Sequence, residues 1–299
     1  MSGSRDGIAR QIANASDLQV VVRSMKTLAA ANILRYERAV TALQGYDDTV
    51  QRGLSASLRQ LGLQDRPPGR AAGGQRRCGV VIIGSDQGLV GRFNDTLLDA
   101  GGPVLSSASG VVTRIWTIGE RMSGAVHDRG LDSAAFPVPA TVPGIAPLVG
   151  AVLAAIAHAQ AQDGLSAVTL LFHAPAPAPG QGAPYAPCLQ PLLPLDDAWL
   201  HTLAARPWPR PVSPDLLSAA MPSLQALISD YLFVRIFRAC VESMASENAS
   251  RLTAMQRAER NIETMLEGLH LLFQRRRQEA IDEELFDVIS GSEALHPRP

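Results

Sequence analysis

The chain is 299 residues long and 46% hydrophobic, enough to bury one large core or two modest ones and too apolar for a disordered segment. Its 27 basic and 28 acidic side chains leave a net charge of -1, which argues against a general nucleic-acid binder and leaves room only for a local basic patch. Cys78, Cys188 and Cys240 lie far apart, with no Cys-x-x-Cys pair and no short Cys/His spacing, so they read as free thiols in a reducing compartment.

The first ten residues are polar and carry Arg5, Asp6 and Arg10, unlike a secretory signal. From Leu18 an apolar seam runs through Val22, Met25, Ala29, Asn32, Tyr36, Ala39, Leu43, Tyr46 and Val50 in alternating steps of four and three. That is a heptad repeat. It continues through Leu54, Leu58 and Leu61 with a stutter, and Gly62 with Pro67-Pro68-Gly69 ends it. Lys26 is the one lysine in the chain, so no glycine-rich loop carries the ammonium that a Walker-type phosphate site needs.

Prolines crowd into the middle of the chain, which divides it into helix, globule and helix, over residues 1–66, 77–209 and 223–291. In the globule, Cys78 to Ile83, Val111 to Ile118 and Ala167 to Phe172 read as strands. Helical patterns near Asn94 to Ala100, Gly119 to Gly130 and Ile145 to Gln162 alternate with them, as in a small α/β sheet domain. The most apolar window, Ile145 to Ala159, falls short of the ~20 residues of a membrane helix. The segment from Ala174 to Pro184 reads as a surface loop of polyproline character.

The first strand ends in Gly84-Ser85-Asp86-Gln87-Gly88-Leu89-Val90-Gly91, spaced as a tight structural turn and not as a dinucleotide fingerprint. Ser85 and Asp86 read as solvated turn residues, because no Gly-x-Ser-x-Gly elbow surrounds them. The six histidines are scattered, so neither a metal, a cofactor nor a catalytic group is expected.

The last proline-free stretch repeats the heptad through Phe237, Val241, Met244, Asn248, Arg251, Met255, Ala258, Ile262, Met265, Leu269 and Leu272. Two seams flanking one globule point to an antiparallel coiled coil of the two terminal helices, left-handed in its supercoil. A helix of some 70 residues would reach roughly 100 Å, more than one compact domain covers, so part of it should meet other chains. Arg275-Arg276-Arg277 followed by Glu279, Asp282, Glu283 and Glu284 is a solvated face or a contact for an acidic partner.

Three of these segments together resemble the gamma subunit of the F-type rotary ATP synthase. The first seam holds Arg23-Ser24-Met25-Lys26-Thr27-Leu28-Ala29-Ala30-Ala31-Asn32, the turn holds Ser85-Asp86-Gln87-Gly88-Leu89-Val90-Gly91, and the last seam holds Ser246-Glu247, Arg251, Ala254-Met255, Ala258 and Asn261, then Arg277-Gln278, Ile281 and Glu284. Departures from the family pattern fall at Thr27, Asn32, Gln87 and Asp282, and suggest a divergent branch such as the alternate, sodium-type enzymes. The resemblance implies an α/β chain with a Rossmann-like centre and a long coiled coil, acting as a non-catalytic shaft that couples ion flow to ATP synthesis or hydrolysis. It implies contact of Met25, Lys26, Arg251, Arg277 and Gln278 with a ring of alpha and beta subunits. Ser85, Asp86, Gly88 and Gly91 are implied as a structural turn. The implied partners are the alpha, beta and epsilon subunits and the membrane ring of c subunits, at the cytoplasmic face of a bacterial inner membrane, with no span of its own and no nucleic acid. The alternative is an α/β nucleotide-binding module or small enzyme with coiled-coil arms for oligomerisation.

Overall fold

The structure, a computed structural model, describes residues 5–62, 77–106, 111–176, 184–208 and 219–295. The proline-glycine break at Pro67-Pro68-Gly69 and the boundaries at 66 and 209 lie outside the described residues. The chain divides into two compact units, one of Met1–Ala29 with Leu252–Pro299 and the other of Ala30–Arg251.

Two helices dominate: α1, Arg5–Gln60, of 56 residues, and α6, Ala220–Leu295, of 76 residues. Both begin earlier than the apolar seams indicate. Helix α6 accepts Pro222 because a missing N–H costs nothing in the first turn. Within the first unit the two helices pair antiparallel: Gln19 donates to Glu263 at 3.4 Å and Arg23 to Glu259 at 3.0 Å. Within the second unit Asn32 donates to Asn248 at 3.4 Å, and a Cβ on Gly53 would stand 2.9 Å from Leu227.

The seams differ in detail from the apolar pattern. Leu18 is 58% and Tyr46 46% exposed, and the seam passes instead through buried Ala15 and half-buried Gln19 and Asp47. On α6, Met265 (57%) and Leu272 (43%) face outward, while Leu266, Leu269 and Phe273 are half-buried. A heptad seam tolerates a polar residue beside an apolar neighbour, so adjacent positions are easily exchanged when only hydrophobicity is counted.

The second unit holds a five-stranded sheet in the order β3-β2-β1-β4-β5: β1 Arg77–Ile83, β2 Val111–Ile118, β3 Ala134–Phe136, β4 Ala167–Pro175 and β5 Tyr185–Leu193. The first four are parallel and β5 runs antiparallel to β4. Helices α2 (Phe93–Leu105), α3 (Glu120–His127) and α4 (Ile145–Asp163) make the crossovers, and α5 (Asp197–Ala205) follows the sheet. The central strand β1 is apolar on both faces. Val81 and Ile83 pack with α4 and α6, while Val80 and Ile82 pack with α2 and α3.

Several local expectations are corrected. Helix α2 runs past Ala100 through Pro103 to Leu105, which is buried with Leu97 and Leu98 against the sheet. Pro103 sits in the last turn, where the break it imposes costs little. Ala174 and Pro175 are not part of a polyproline loop, because they pair with Ala186 and Tyr185 in the sheet; residues 177–183 lie outside the described residues. Strand β5 carries Pro187 and Pro191, which an edge strand accepts. The apolar stretch Val142–Asp163 is 22 residues, long and apolar enough to cross a membrane by length and composition, and longer than the window read from the sequence. Its buried stripe, Ile145, Leu148, Val149, Val152, Ile156 and Ala159, packs in the core with Trp116, Ile118 and Leu170.

Candidate functional site

Met25 and Lys26 lie half-buried on the seam of the first unit. Lys26 Nζ meets Glu259 Oε2 at 2.5 Å and Arg23 Nε meets Oε1 at 3.0 Å, with Glu263 3.5 Å from the Arg23 guanidinium. The hydrogen bonds from Lys26 and Arg23 hold the Glu259 carboxyl below its ordinary range. A charged cluster beside an apolar seam allows one register and penalises its neighbours.

On that register the first described residue of α1, Arg5, comes level with Arg277. Arg277 and Gln278 are exposed, and beyond them α6 has no described partner helix. The helix nonetheless stays apolar there: Ile281, Leu285, Phe286, Val288 and Ile289 are 49–73% exposed. Leu18, Val20, Val21 and Leu28 of α1 add to the uncovered apolar surface of this unit.

Arg251 belongs to the second unit and is spent within it. Its Nη2 meets Glu247 Oε1 at 2.6 Å, with side-chain exposures of 14% and 8%. Burial pushes the Glu247 carboxyl above its ordinary value and Asp86 pushes the same way, while the Arg251 guanidinium opposes them. Tyr36, buried on α1, is also shifted upward, by burial first and then by Glu247.

The turn after β1 is tied from several sides. Ser85 is fully buried, contrary to its reading as a solvated residue: its amide donates to Asn94 Oδ1 at 3.1 Å and Asn94 Nδ2 donates to Ser85 Oγ at 2.8 Å. Asp86 Oδ1 accepts the amide of Glu120 at 3.1 Å and so caps α3. Gly91 lies in the left-handed region at φ 60°, and so does Leu89 at 64°. Gly88 needs no such conformation; a Cβ there would reach only Arg121, at 3.7 Å. Sequence reasoning missed Gly119, with φ 109°, where a Cβ would stand 2.5 Å from the Ser85 carbonyl oxygen.

Ser85, Gly88, Gly91, Asn94 and Arg121 line a cavity of about 460 Å³ at the carboxyl ends of β1 and β2. The switch of strand order falls between β1 and β4, where open α/β sheets take their ligands. Here α6 occupies that place: Ser243 donates to the Ile83 carbonyl at the end of β1, and Ser246 to the His173 carbonyl in β4. His173 is buried between Phe93 and Tyr185, and burial lowers the affinity of its ring for a proton. Cys240 is fully enclosed, and its thiol is pushed up to about 12 by burial, far from any reactive thiolate. Among the described residues no group of three or more His, Cys, Asp or Glu could hold a metal ion.

A family model described as ATP synthase matches residues 4–295. The ATP synthase gamma chain of Nitrosospira multiformis is 25% identical over 305 aligned positions, covering 99% of this chain and 100% of that one. That of Burkholderia multivorans is 26% identical over 302 positions, with 99% and 100% covered. Among solved structures, a chain of the rotor of Euglena gracilis mitochondrial ATP synthase is similar in fold with a TM-score of 0.60 at 14% identity, covering 94% of this chain and 100% of that one. A chain from the OSCP/F1/c-ring assembly of the same enzyme gives 0.62 at 16% identity, over 99% and 96%.

Proposed function

The chain belongs to the ATP synthase gamma-subunit family, and from that membership we propose that it works as the non-catalytic rotating shaft between a ring of alpha and beta subunits and a membrane ring of c subunits. The observation that supports this reading most is the end of α6, where a helix that has outrun its described partner keeps Ile281, Leu285, Phe286, Val288 and Ile289 in the open. Such a stripe is unfavourable in water and favourable inside an apolar sleeve. The bore of the catalytic ring is that sleeve. As the shaft turns it offers each catalytic subunit a different face, and differential contact shifts each between open and closed states.

The roles divide along the chain. Arg277 and Gln278, exposed just before the apolar stripe, touch the ring directly. Met25 and Lys26 act by holding the two helices in register, and Arg251 by fixing Glu247 of its own helix, since their side chains already have partners or packing within the chain. Residues 1–66 and 223–291 supply the coiled coil, and 77–209 form the foot that binds the epsilon subunit and stands on the c ring, with Ser85, Asp86, Gly88 and Gly91 as its structural turn. The assembly sits at the cytoplasmic face of a bacterial inner membrane, and the chain is peripheral to it. ATP is made and split on the partner subunits.

Co-expression with alpha and beta subunits tests the reading. The wild-type chain is expected to co-purify with them. A Phe286→Asp, Ile289→Asp double variant, which alters only exposed side chains, is expected to lose most of that association while keeping its helical circular dichroism. Unchanged association would remove the apolar stripe from the interface.

A further inference from the structure

Helical serine and threonine hydroxyls have a default partner, the carbonyl four residues back. Ser223, Ser229 and Thr264 of α6 follow it, donating to Ala219, Gln225 and Arg260. Three others turn away from their own helix. Ser243 donates to the Ile83 carbonyl at 3.0 Å, Ser246 to the His173 carbonyl at 3.2 Å and Ser250 to the Val90 carbonyl at 2.6 Å. They are 2%, 3% and 6% exposed, and their spacing puts them on one face of α6 over two turns. Tyr185 of β5 closes the set, its hydroxyl 2.8 Å from Ser250 Oγ.

The acceptors belong to the end of β1, to β4 and to the turn after β1, so one helix face is fastened at three separate points to the carboxyl end of the sheet. Hydrocarbon packing alone resists separation, but it lets a helix roll or slide by small rotamer changes. Directional bonds to fixed backbone carbonyls resist both motions. Resting on the shaft reading above, we infer that Ser243, Ser246 and Ser250 are positioning residues that grip α6, so that torque entering through the sheet turns the helix without slip. The place where a related sheet would hold a ligand is used to hold the chain's own helix.

The test is a Ser243→Ala, Ser246→Ala, Ser250→Ala variant in the complete complex reconstituted in vesicles, measured for ATP hydrolysis and for ions pumped per ATP. Ser57→Ala is the matched control, since buried Ser57 Oγ has no hydrogen-bond partner among the described residues. The triple variant is expected to keep hydrolysis while pumping per ATP falls about threefold, and amide exchange at 86–91 and 243–250 is expected to rise about tenfold. Ser57→Ala should match the wild type in both. Should the triple variant fail to fold, Ser246→Ala alone is expected to show a smaller loss in the same direction. Wild-type pumping per ATP in either serine variant would overturn the grip and leave the shaft reading standing. A wild-type chain that neither assembles nor pumps would instead overturn the shaft reading, and amide exchange in the full-length chain would still decide whether the serines fasten the helix.

Discussion

Replacing Gly119 by valine is expected to cost more than about 4 kcal/mol and to prevent the sheet unit from reaching its native state. Two effects add. At φ 109° the backbone is strained for any residue with a side chain. The new Cβ would also stand 2.5 Å from the Ser85 carbonyl oxygen and 2.7 Å from its carbon, and neither can rotate away as a flexible side chain would. Ser85 is needed where it is: its carbonyl accepts the Met122 amide at 3.2 Å, and Gly119 itself donates to the Phe136 carbonyl at 2.9 Å. Valine would therefore part the turn from α3 and from β3 together. Urea titration followed by tryptophan fluorescence measures this, since Trp116 lies in the sheet core. A Gly119→Val chain with a wild-type midpoint would show that the turn relaxes freely and does not brace the sheet.

Arg251→Ala is expected to destabilise the isolated chain by about 3 kcal/mol at pH 8 and by much less at pH 4. The pH dependence follows from Glu247. Its folded-state pKa is raised by burial above the unfolded value, so its contribution to stability is fully present below that value and is lost as pH rises through the folded one. Removing the guanidinium that opposes the shift widens the gap, and the deficit grows with pH above about 4.5. Adding Glu247→Gln, which cannot ionise, should remove the pH-dependent part. A deficit equal at both pH values would assign the effect to lost packing of the arginine stem. Reduced coupling in an assembled Arg251 variant must therefore be read against the stability of the chain itself.

The terminal helices were largely legible, because heptad spacing over many turns has no other common cause. The errors at Leu18, Tyr46, Met265 and Leu272 share one origin. Counting apolar residues assumes that they face inward, and beside a polar neighbour the buried heptad position is easily misplaced by one residue. Strands β1, β2 and β4 stood out as apolar runs buried on both faces. Strand β3, three residues long, offers no pattern to read, and β5 was hidden by Pro187 and Pro191, which matter less on an edge. Gly119 could have been suspected as a glycine between strand and helix, but its contact with Ser85 depends on tertiary structure. The same holds for Ser243, Ser246 and Ser250: their spacing was visible, while the carbonyls they meet lie up to 160 residues away in sequence.

The shaft reading is tested most directly by watching the chain turn. With the alpha and beta ring fixed to a surface and a bead attached through a cysteine introduced in the sheet unit, ATP should drive continuous rotation in one direction, ceasing when ATP is removed. A ring that hydrolyses ATP with this chain bound and stationary would contradict it.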